Sequence, residues 1–270
     1  FIDCGAGIAS HEGPDLPVPE EPAVPSEHGR ARQRDDLPKP PTGDELEHVE
    51  APIRAAITAN VFLQARDGDQ HWSGSGIIIA RDGNHIAILT NRHVIEGEGG
   101  RLCALKAMTV SGERIQPTTL WRAGRGVDLA LVEGRVDRPD GLTVLPLGNG
   151  AALVGTDVFA IGNPLGLAWS YTAGTLSATR HWLTPDGHSI RILQTDANIA
   201  PGSSGGGLFH RDGHLLGVIS FSCQGHAGAG AHFALSVDAI RAALTTEAVT
   251  WRGQRLASPA APPPSTEKQS

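Results

Sequence analysis

Three side chains whose types together can break acyl bonds are spread along the chain: His93, Asp128 and Ser204. A serine hydroxyl is a weak nucleophile until a base removes its proton, and a neutral imidazole can act as that base near pH 7. A carboxylate that binds the imidazole fixes its tautomer and stabilises the imidazolium that forms. The three residue types therefore predict nucleophilic hydrolysis, provided that the fold brings them together.

The serine lies in an unusually glycine-rich stretch, "PGSSGGG" at residues 201–207. The next run, "LLGVISFS" at 215–222, is strongly apolar, which argues against a flexible linker. Hydrolysis through a serine also needs backbone N–H groups that point at the developing oxyanion, and a glycine such as Gly202 can adopt the dihedral angles that this requires. The stretch is therefore unlike a linker and is suited to a loop that holds one serine hydroxyl against a substrate.

The other two residues lie in apolar surroundings that restrict what they can do. In "IAILTNRHVIEG", residues 86–97, an apolar strand ends in a polar turn that carries His93. In "GRGVDLALVEG", residues 124–134, the pattern places Asp128 inside an apolar strand. A buried carboxylate is costly unless it is paired or hydrogen-bonded, and a histidine is a natural partner.

The pattern from residue 58 onwards predicts an all-β protein. Short apolar runs are separated by Asp-Gly pairs, which favour tight turns between antiparallel strands; they occur at 67–68, 82–83, 140–141, 186–187 and 212–213. Two six-stranded β-barrels fit the available length, the first over 58–148 and the second over 149–248. A short helix is expected over 44–57, despite Pro52, and another near 236–248.

Several stretches, in their order along the chain, resemble the protease domain of the HtrA (Deg) group of trypsin-like serine proteases. They cover about residues 73–237 and are "GSGIII", "LTNRHVI", "VDLALV", "IGNPLGL", "TAGTLSA", "QTDANIAPGSSGG", "LLGVIS" and "GAHFALS". The order His, Asp, Ser is also that of chymotrypsin-type proteases. The resemblance implies a double six-stranded β-barrel of the chymotrypsin type, with His93, Asp128 and Ser204 as the triad.

The resemblance also implies an oxyanion hole and a substrate cleft. The N–H groups of Gly202 and Ser204, with Ser203 between them, would form the oxyanion hole. Ser220 would support the aspartate and Phe221 would lie beside the specificity pocket, in a strand "VISFS" ending at Ser222 that pairs with the substrate. The segment Asn198, Ile199 and Ala200 would form a pocket wall; since it is apolar, we expect cleavage after Val, Ala or Leu.

The same resemblance sets expectations about partners and cofactors. The substrates would be unfolded or extended polypeptides, no cofactor or metal would be needed, and the chain would be a monomer or a homotrimer. Many members carry a C-terminal PDZ domain, for which the sequence after residue 237 offers only a helix and a tail. We therefore expect no partner recruited through a PDZ domain.

Three other interpretations deserve comparison. The sequence Gly202-Ser203-Ser204-Gly205-Gly206 fits the G-x-S-x-G elbow of α/β-hydrolases, but glycines and a strand follow where that fold needs a helix. The pairs His210/His214 and Cys223/His226 have spacings that metal ligands use, yet no further pair supports a site. A protease fold with a silent site could instead act as a scaffold.

Composition separates a folded body from two tails. Residues 1–50 carry 12 acidic and four basic side chains, so the net charge of −7 belongs to this segment and nothing favours a nucleic-acid surface. Residues 1–43 and 253–270 are expected to be disordered.

The opening "FIDCGAGIAS" resembles the end of a signal or anchor segment, which favours an extracytoplasmic location, although Asp3 argues against lipidation of Cys4. Whether Cys103 and Cys223 pair stays open.

Overall fold

The computed structural model describes residues 37–124, 126–148, 150–184, 187–223 and 231–257, without the side chains of 221–223. Most of both expected tails, residues 1–36 and 258–270, lies outside the described residues, as does Cys4. The described chain forms four α-helices and fifteen β-strands. The helices are α1 (Gly43–Glu47), α2 (Ala51–Ala59), α3 (Arg92–Ile95) and α4 (Val237–Thr246).

The strands fall into two groups that follow one another along the chain. The first group is β1 (Asn60–Asp67), β2 (Gln70–Asp82), β3 (His85–Thr90), β4 (Ala104–Thr109), β5 (Arg114–Ile115), β6 (Thr118–Arg122) and β7 (Ala130–Arg135). The second group is β8 (Asp157–Gly162), β9 (Ser170–Leu183), β10 (Ser189–Thr195), β11 (Gly207–His210), β12 (Leu215–Cys223) and β13 (Ala231–Ser236). A terminal hairpin follows α4 and consists of β14 (Thr250–Trp251) and β15 (Gln254–Arg255).

The first group forms one antiparallel sheet in the order β5-β4-β1-β2-β3-β7-β6. Its inner face buries a cluster of branched aliphatic side chains that includes Val61, Ile88 and Val132. The turn between β2 and β3 is the expected Asp-Gly turn, in which Gly83 has φ +55°. The β3–β7 pairing joins Thr90 to Ala130, so the ends of these two strands lie side by side.

The second group closes into a six-stranded barrel in the order β10-β13-β12-β11-β8-β9. Its interior holds a separate cluster that includes Leu193, Ile219 and Ala234. The largest cluster joins residues of both groups with the helices, among them Phe62, Phe209 and Trp251. The predicted fold class is confirmed; the barrel closes in the second half, whereas among the described strands of the first half β5 and β6 remain the edges of an open, seven-stranded sheet.

Two details of the ends differ from the sequence-based expectation. The helix expected over 44–57 is two helices, because Thr42 caps α1 with a capping box and α2 begins separately, with Pro52 in its first turn. The folded part also extends beyond the expected tail boundaries. Leu37 packs against the largest cluster, and Ala257, beyond the terminal hairpin, is buried in it.

The terminal hairpin returns the chain to the first sheet. Trp251 is buried, and its Nε1 donates to Glu133 Oε2 at 2.5 Å. Arg252 Nε donates to the same carboxylate oxygen at 3.1 Å. These contacts join the C-terminal segment to β7, which begins two residues after Asp128.

Candidate active site

His93 and Asp128 are in direct contact. His93 lies on α3, which follows β3 after Asn91. The sequence pattern predicted Asp128 inside a strand, but Asp128 lies in the connecting segment just before β7. His93 Nδ1 is 2.7 Å from Asp128 Oδ2, and the backbone N–H of His93 donates to Oδ1 at 3.0 Å. The contact follows from the antiparallel β3–β7 pairing, because that pairing places the end of β3 beside the start of β7.

The surroundings of Asp128 favour its ionised form. Burial by itself raises the pKa of this carboxyl, but the adjacent His93 imidazole, the His93 N–H and the Ser220 hydroxyl outweigh burial and hold the pKa below its ordinary value. A charged Asp128 keeps a proton on His93 Nδ1. The other ring nitrogen, Nε2, is then free to accept a proton from a nucleophile.

The turn that carries Asp128 is held from three sides. Asn91 Nδ2 donates to the Asp128 carbonyl oxygen at 2.8 Å. Arg92 Nη1 donates to the Ala123 carbonyl oxygen at 3.0 Å, so α3 is tied to the chain that enters the turn. Glu247, just after α4, accepts from the Gly124 N–H at 3.0 Å. Sequence reasoning had assigned Asn91 no role, although it stands in the quoted stretch "LTNRHVI".

Ser220 connects the His–Asp pair to Ser204. The β12–β13 register shifts between Ile219 and Phe221, so Ser220 is the extra residue of a bulge. Bulges re-aim side chains, and here Ser220 Oγ donates to Asp128 Oδ2 at 2.7 Å. Its carbonyl oxygen accepts from Ser204 Oγ at 3.4 Å. Among the described residues this is the only hydrogen bond of the Ser204 hydroxyl, and it does not reach His93.

The two adjacent serines differ in accessibility. Ser203 is 5% exposed, its N–H donates to the Ala200 carbonyl and its own carbonyl accepts from Gly206. Ser204 is only half-buried. A nucleophile must meet substrate, so of the two hydroxyls Ser204 is the one placed to do chemistry.

The peptide between Pro201 and Gly202 has a fixed orientation. The Pro201 carbonyl oxygen accepts from the Leu165 N–H at 2.7 Å. In a trans peptide the N–H points away from the carbonyl, so the Gly202 N–H faces the opposite side. Within the described chain neither this N–H nor that of Ser204 donates to a protein acceptor. Gly202 has φ +101°, and a Cβ there would lie 2.4 Å from the Asn163 carbonyl oxygen, which explains the glycine.

A buried polar cluster attaches the nucleophile loop to the first sheet. Ser75 on β2 is fully buried; its Oγ donates to the Gly202 carbonyl at 2.8 Å, and its N–H donates to the Ser204 carbonyl at 2.8 Å. Asn163, at the end of β8, donates to the same Oγ from its N–H at 3.0 Å and from Nδ2 at 2.8 Å. Sequence reasoning missed both roles, although "GSGIII" and "IGNPLGL" contain the two residues.

The expected pocket residues occupy different environments. Ile199 is buried in the interior cluster of the second barrel, Ala200 is half-buried and Asn198 is exposed. Phe221 and Ser222 lie on β12 opposite Phe233 and His232 of β13, but their side chains lie outside the described part of the chain. Sequence reasoning also overlooked His232, which is 8% exposed. The quoted stretch "GAHFALS" contains it, an imidazole between strand residues that are otherwise apolar or small.

The described residues hold no cluster of three or more His, Cys, Asp or Glu side chains arranged to bind a metal ion. His210 and His214 both contact Asp212 Oδ1 through Nδ1 at 2.7 Å in a surface turn. His226 and the Cys223 side chain lie outside the described part of the chain. Among the described residues, every helix is too short or too polar to span a bilayer.

The chain is similar to known proteins over most of its described length. The profile of the family described as trypsin-like peptidase domain matches residues 74–218. Serine protease PepD of Mycobacterium tuberculosis is 35% identical over 209 residues, which cover 70% of this chain and 44% of PepD. A probable periplasmic DegP-like serine endoprotease of Halomonas elongata is 37% identical over 177 residues, covering 65% of this chain and 35% of the relative.

Solved structures show the same similarity. The HtrA-type protease AlgW, determined with a tripeptide, has a TM-score of 0.61 at 26% identity, over 75% of this chain and 64% of that chain. The chain spans less than half the length of the two curated relatives. Other relatives are named as mitochondrial and chloroplastic proteases.

Proposed function

The chain belongs to the trypsin-like peptidase domain family, and from this premise we propose that it is a serine endopeptidase that hydrolyses unfolded or extended polypeptides through an acyl-enzyme. The observation that carries the proposal is the pair of contacts at Asp128: the carboxylate meets His93 Nδ1 at 2.7 Å and the hydroxyl of Ser220 at 2.7 Å. Through Ser220 the pair is linked to the half-buried Ser204.

In the proposed reaction Ser204 Oγ attacks the scissile carbonyl while His93 Nε2 takes its proton. The imidazolium that forms is stabilised by Asp128, whose low pKa keeps it charged. His93 then gives the proton to the leaving amine. Water then attacks the acyl group and loses a proton to His93, and His93 returns that proton to Ser204 Oγ as the acid product leaves.

The oxyanion of each tetrahedral intermediate would lie between the N–H groups of Gly202 and Ser204. Support comes from the Leu165–Pro201 hydrogen bond, which orients the Gly202 N–H, and from the absence of any protein acceptor for either group within the described residues. Donors fixed before the reaction need no reorganisation when charge develops.

A polypeptide in extended form would pair with β12 near Ser220, beside the segment from Asn198 to Ala200. The tripeptide of the AlgW structure and the protease names of the relatives support a peptide substrate.

An extracytoplasmic location is proposed because several relatives are named as periplasmic. The oligomeric state, monomer or homotrimer, can be measured by light scattering.

One contact favours the second candidate, a silent protease fold that binds polypeptides without cleaving them. Ser204 Oγ is directed at the Ser220 carbonyl rather than at His93. At 3.4 Å this hydrogen bond is long for an O–H donor, and rotation about χ1 into another staggered position would release the hydroxyl. We therefore favour the active enzyme.

Labelling with a fluorophosphonate and digestion of unfolded casein test the proposal. Wild-type protein is expected to label and to cleave, Ser204→Ala to do neither, and Ser203→Ala to keep a substantial fraction of both. Ser203→Ala is the matched control, because it removes the neighbouring hydroxyl from the same loop. Labelling that survives Ser204→Ala, or a wild type that binds casein without cleaving it, would contradict the proposal.

A further inference from the structure

His232 on β13 is a buried imidazole that the proposed mechanism does not use. It is 8% exposed, and its Nδ1 is buried without a hydrogen-bond partner among the described residues. Burial lowers the pKa of this imidazole, so it is neutral at pH 7. An unpaired buried polar group destabilises the folded state. Such a group in a folded protein calls for an explanation, and a ligand that pairs with it is one.

The strand pattern places His232 on the inner face of the second barrel. Side chains two apart on a strand share a face, and Ala234, two residues on, packs in the interior cluster with Leu193 and Ile219. The intervening Phe233 packs in the other, larger cluster. His232 therefore faces the same interior as Ile199, which belongs to the segment leading into the nucleophile loop.

The β-sheet register also places His232 near the reacting serine. Its cross-strand neighbours are Thr195 on β10 and Ser222 on β12. Ser222 lies two residues beyond Ser220, whose carbonyl accepts from Ser204 Oγ. Two strand residues span roughly 7 Å, about the reach of one long side chain. A substrate residue held at Ser204 can thus extend its side chain along β12 to the imidazole.

The chemistry of the imidazole selects among substrate side chains. A neutral imidazole offers one N–H donor and one lone pair. A carboxamide has both an acceptor and a donor, so it can pair with the ring without bringing a charge into the barrel. A carboxylate would add a buried charge, which is costly unless the imidazole becomes protonated, and burial opposes that protonation. An aliphatic side chain would leave Nδ1 unpaired.

We propose that His232 is the specificity-determining residue of the pocket that receives the side chain preceding the scissile bond, and that it selects glutamine, and asparagine less well, over aliphatic residues. This inference rests on the proposed endopeptidase function and revises the aliphatic preference expected from Ile199 and Ala200. Ile199 forms the apolar wall along the methylene groups, and His232 meets the terminal amide.

The test is cleavage-site profiling on a denatured proteome, followed by kcat/KM on matched peptides that differ only in Gln, Leu or Glu before the cut. The variants are His232→Val and His232→Asn, and the latter keeps a donor and an acceptor if the valine variant folds poorly. His214→Val is the control, because it removes an exposed imidazole from a surface turn. Fluorophosphonate labelling of each variant reports whether the Ser204 site is intact.

We expect wild type and His214→Val to favour Gln over Leu by about tenfold, the size of one hydrogen bond. His232→Val should reverse this order while its labelling stays unchanged. Equal preference for aliphatic residues in wild type and His232→Val would overturn the inference and leave the endopeptidase intact. Dominant cleavage after Glu would overturn the amide assignment. Failure of wild type to label at Ser204 would overturn the proposed function itself.

Discussion

Ser75→Ala is the change that most sharply tests how the first sheet controls the nucleophile loop. The hydroxyl donates to the Gly202 carbonyl and accepts from the Asn163 N–H and Nδ2. Without it Asn163 Nδ2 keeps Asn60 Oδ1 as a partner. The Gly202 carbonyl and the Asn163 N–H lose the only partner that they have among the described residues.

The size of the effect follows from these two groups. An orphaned buried polar group costs about 1–3 kcal/mol, so the free energy of unfolding should fall by about 2–6 kcal/mol. This is a large part of the ~5–15 kcal/mol that stabilises an ordinary domain. Because Gly202 also supplies an N–H to the proposed oxyanion hole, kcat should fall as well. Loss of one such donor costs about 10²–10³-fold.

Urea unfolding gives the first quantity, and kcat with KM on a peptide substrate gives the second. Thr109→Val is the control, since it removes a buried hydroxyl from β4, which pairs with β1 and β5 rather than with the nucleophile loop. That variant should lose stability without a matching loss of kcat. If Ser75→Ala loses stability but keeps kcat within threefold of wild type, Ser75 supports the fold only and the reasoning about Gly202 is wrong.

Three further predictions concern Asp128 and Gly202. Asp128→Asn should fold but lose about 10⁴-fold in kcat, the loss measured in chymotrypsin-type enzymes, because the amide selects the wrong imidazole tautomer; a kcat near wild type would exclude Asp128 from the triad. The native pKa of Asp128 lies below its ordinary value of 3.8, so its ionised form stabilises the protein above that pH, and this stability is lost as the pH falls through the native pKa. Unfolding of Asp128→Asn, followed from pH 6 to pH 2, should accordingly depend less on pH than that of wild type, and equal slopes would show that the carboxylate is not stabilised. Gly202→Ala should lower kcat by up to about 10²–10³-fold with a smaller change in KM, because its Cβ meets the Asn163 carbonyl. Gly68→Ala is the control, since Gly68 also has a positive φ, +59°, but has open space around it. Equal losses of kcat in both variants would show that backbone strain alone causes the effect.

Local patterns were enough to predict the main features of the fold. Alternating apolar runs with Asp-Gly turns identify antiparallel strands, since the period of two and the turn chemistry are properties of short segments. The prediction of strand, turn and strand is confirmed around residue 83, between β2 and β3, and around residue 213, between β11 and β12. Element ends were less predictable. The break between α1 and α2 depends on the Thr42 cap. The position of the C-terminal hairpin depends on the contact of Trp251 with Glu133, which is distant in the sequence.

The candidate site divides in the same way. His93, Asp128 and Ser204 could be proposed from the sequence because the residue types and their order along the chain indicate the chemistry. Sequence alone could not show that Ser220 sits in a bulge, because a register shift is a property of two paired strands. The same holds for Ser75, whose hydroxyl meets residues 88 and 127 positions away.

What the sequence determined by itself, therefore, is the strand pattern, the set of reactive side chains and the glycines that permit a tight nucleophile loop. Only the tertiary structure decided which serine of the pair is accessible, where the Gly202 N–H points and that the buried His232 Nδ1 has no partner among the described residues. The physical reason is that accessibility, hydrogen-bond partnership and burial depend on groups far apart in the chain. Residue type and spacing specify what a side chain can do, whereas its neighbours in the folded protein decide what remains unpaired and available to a substrate.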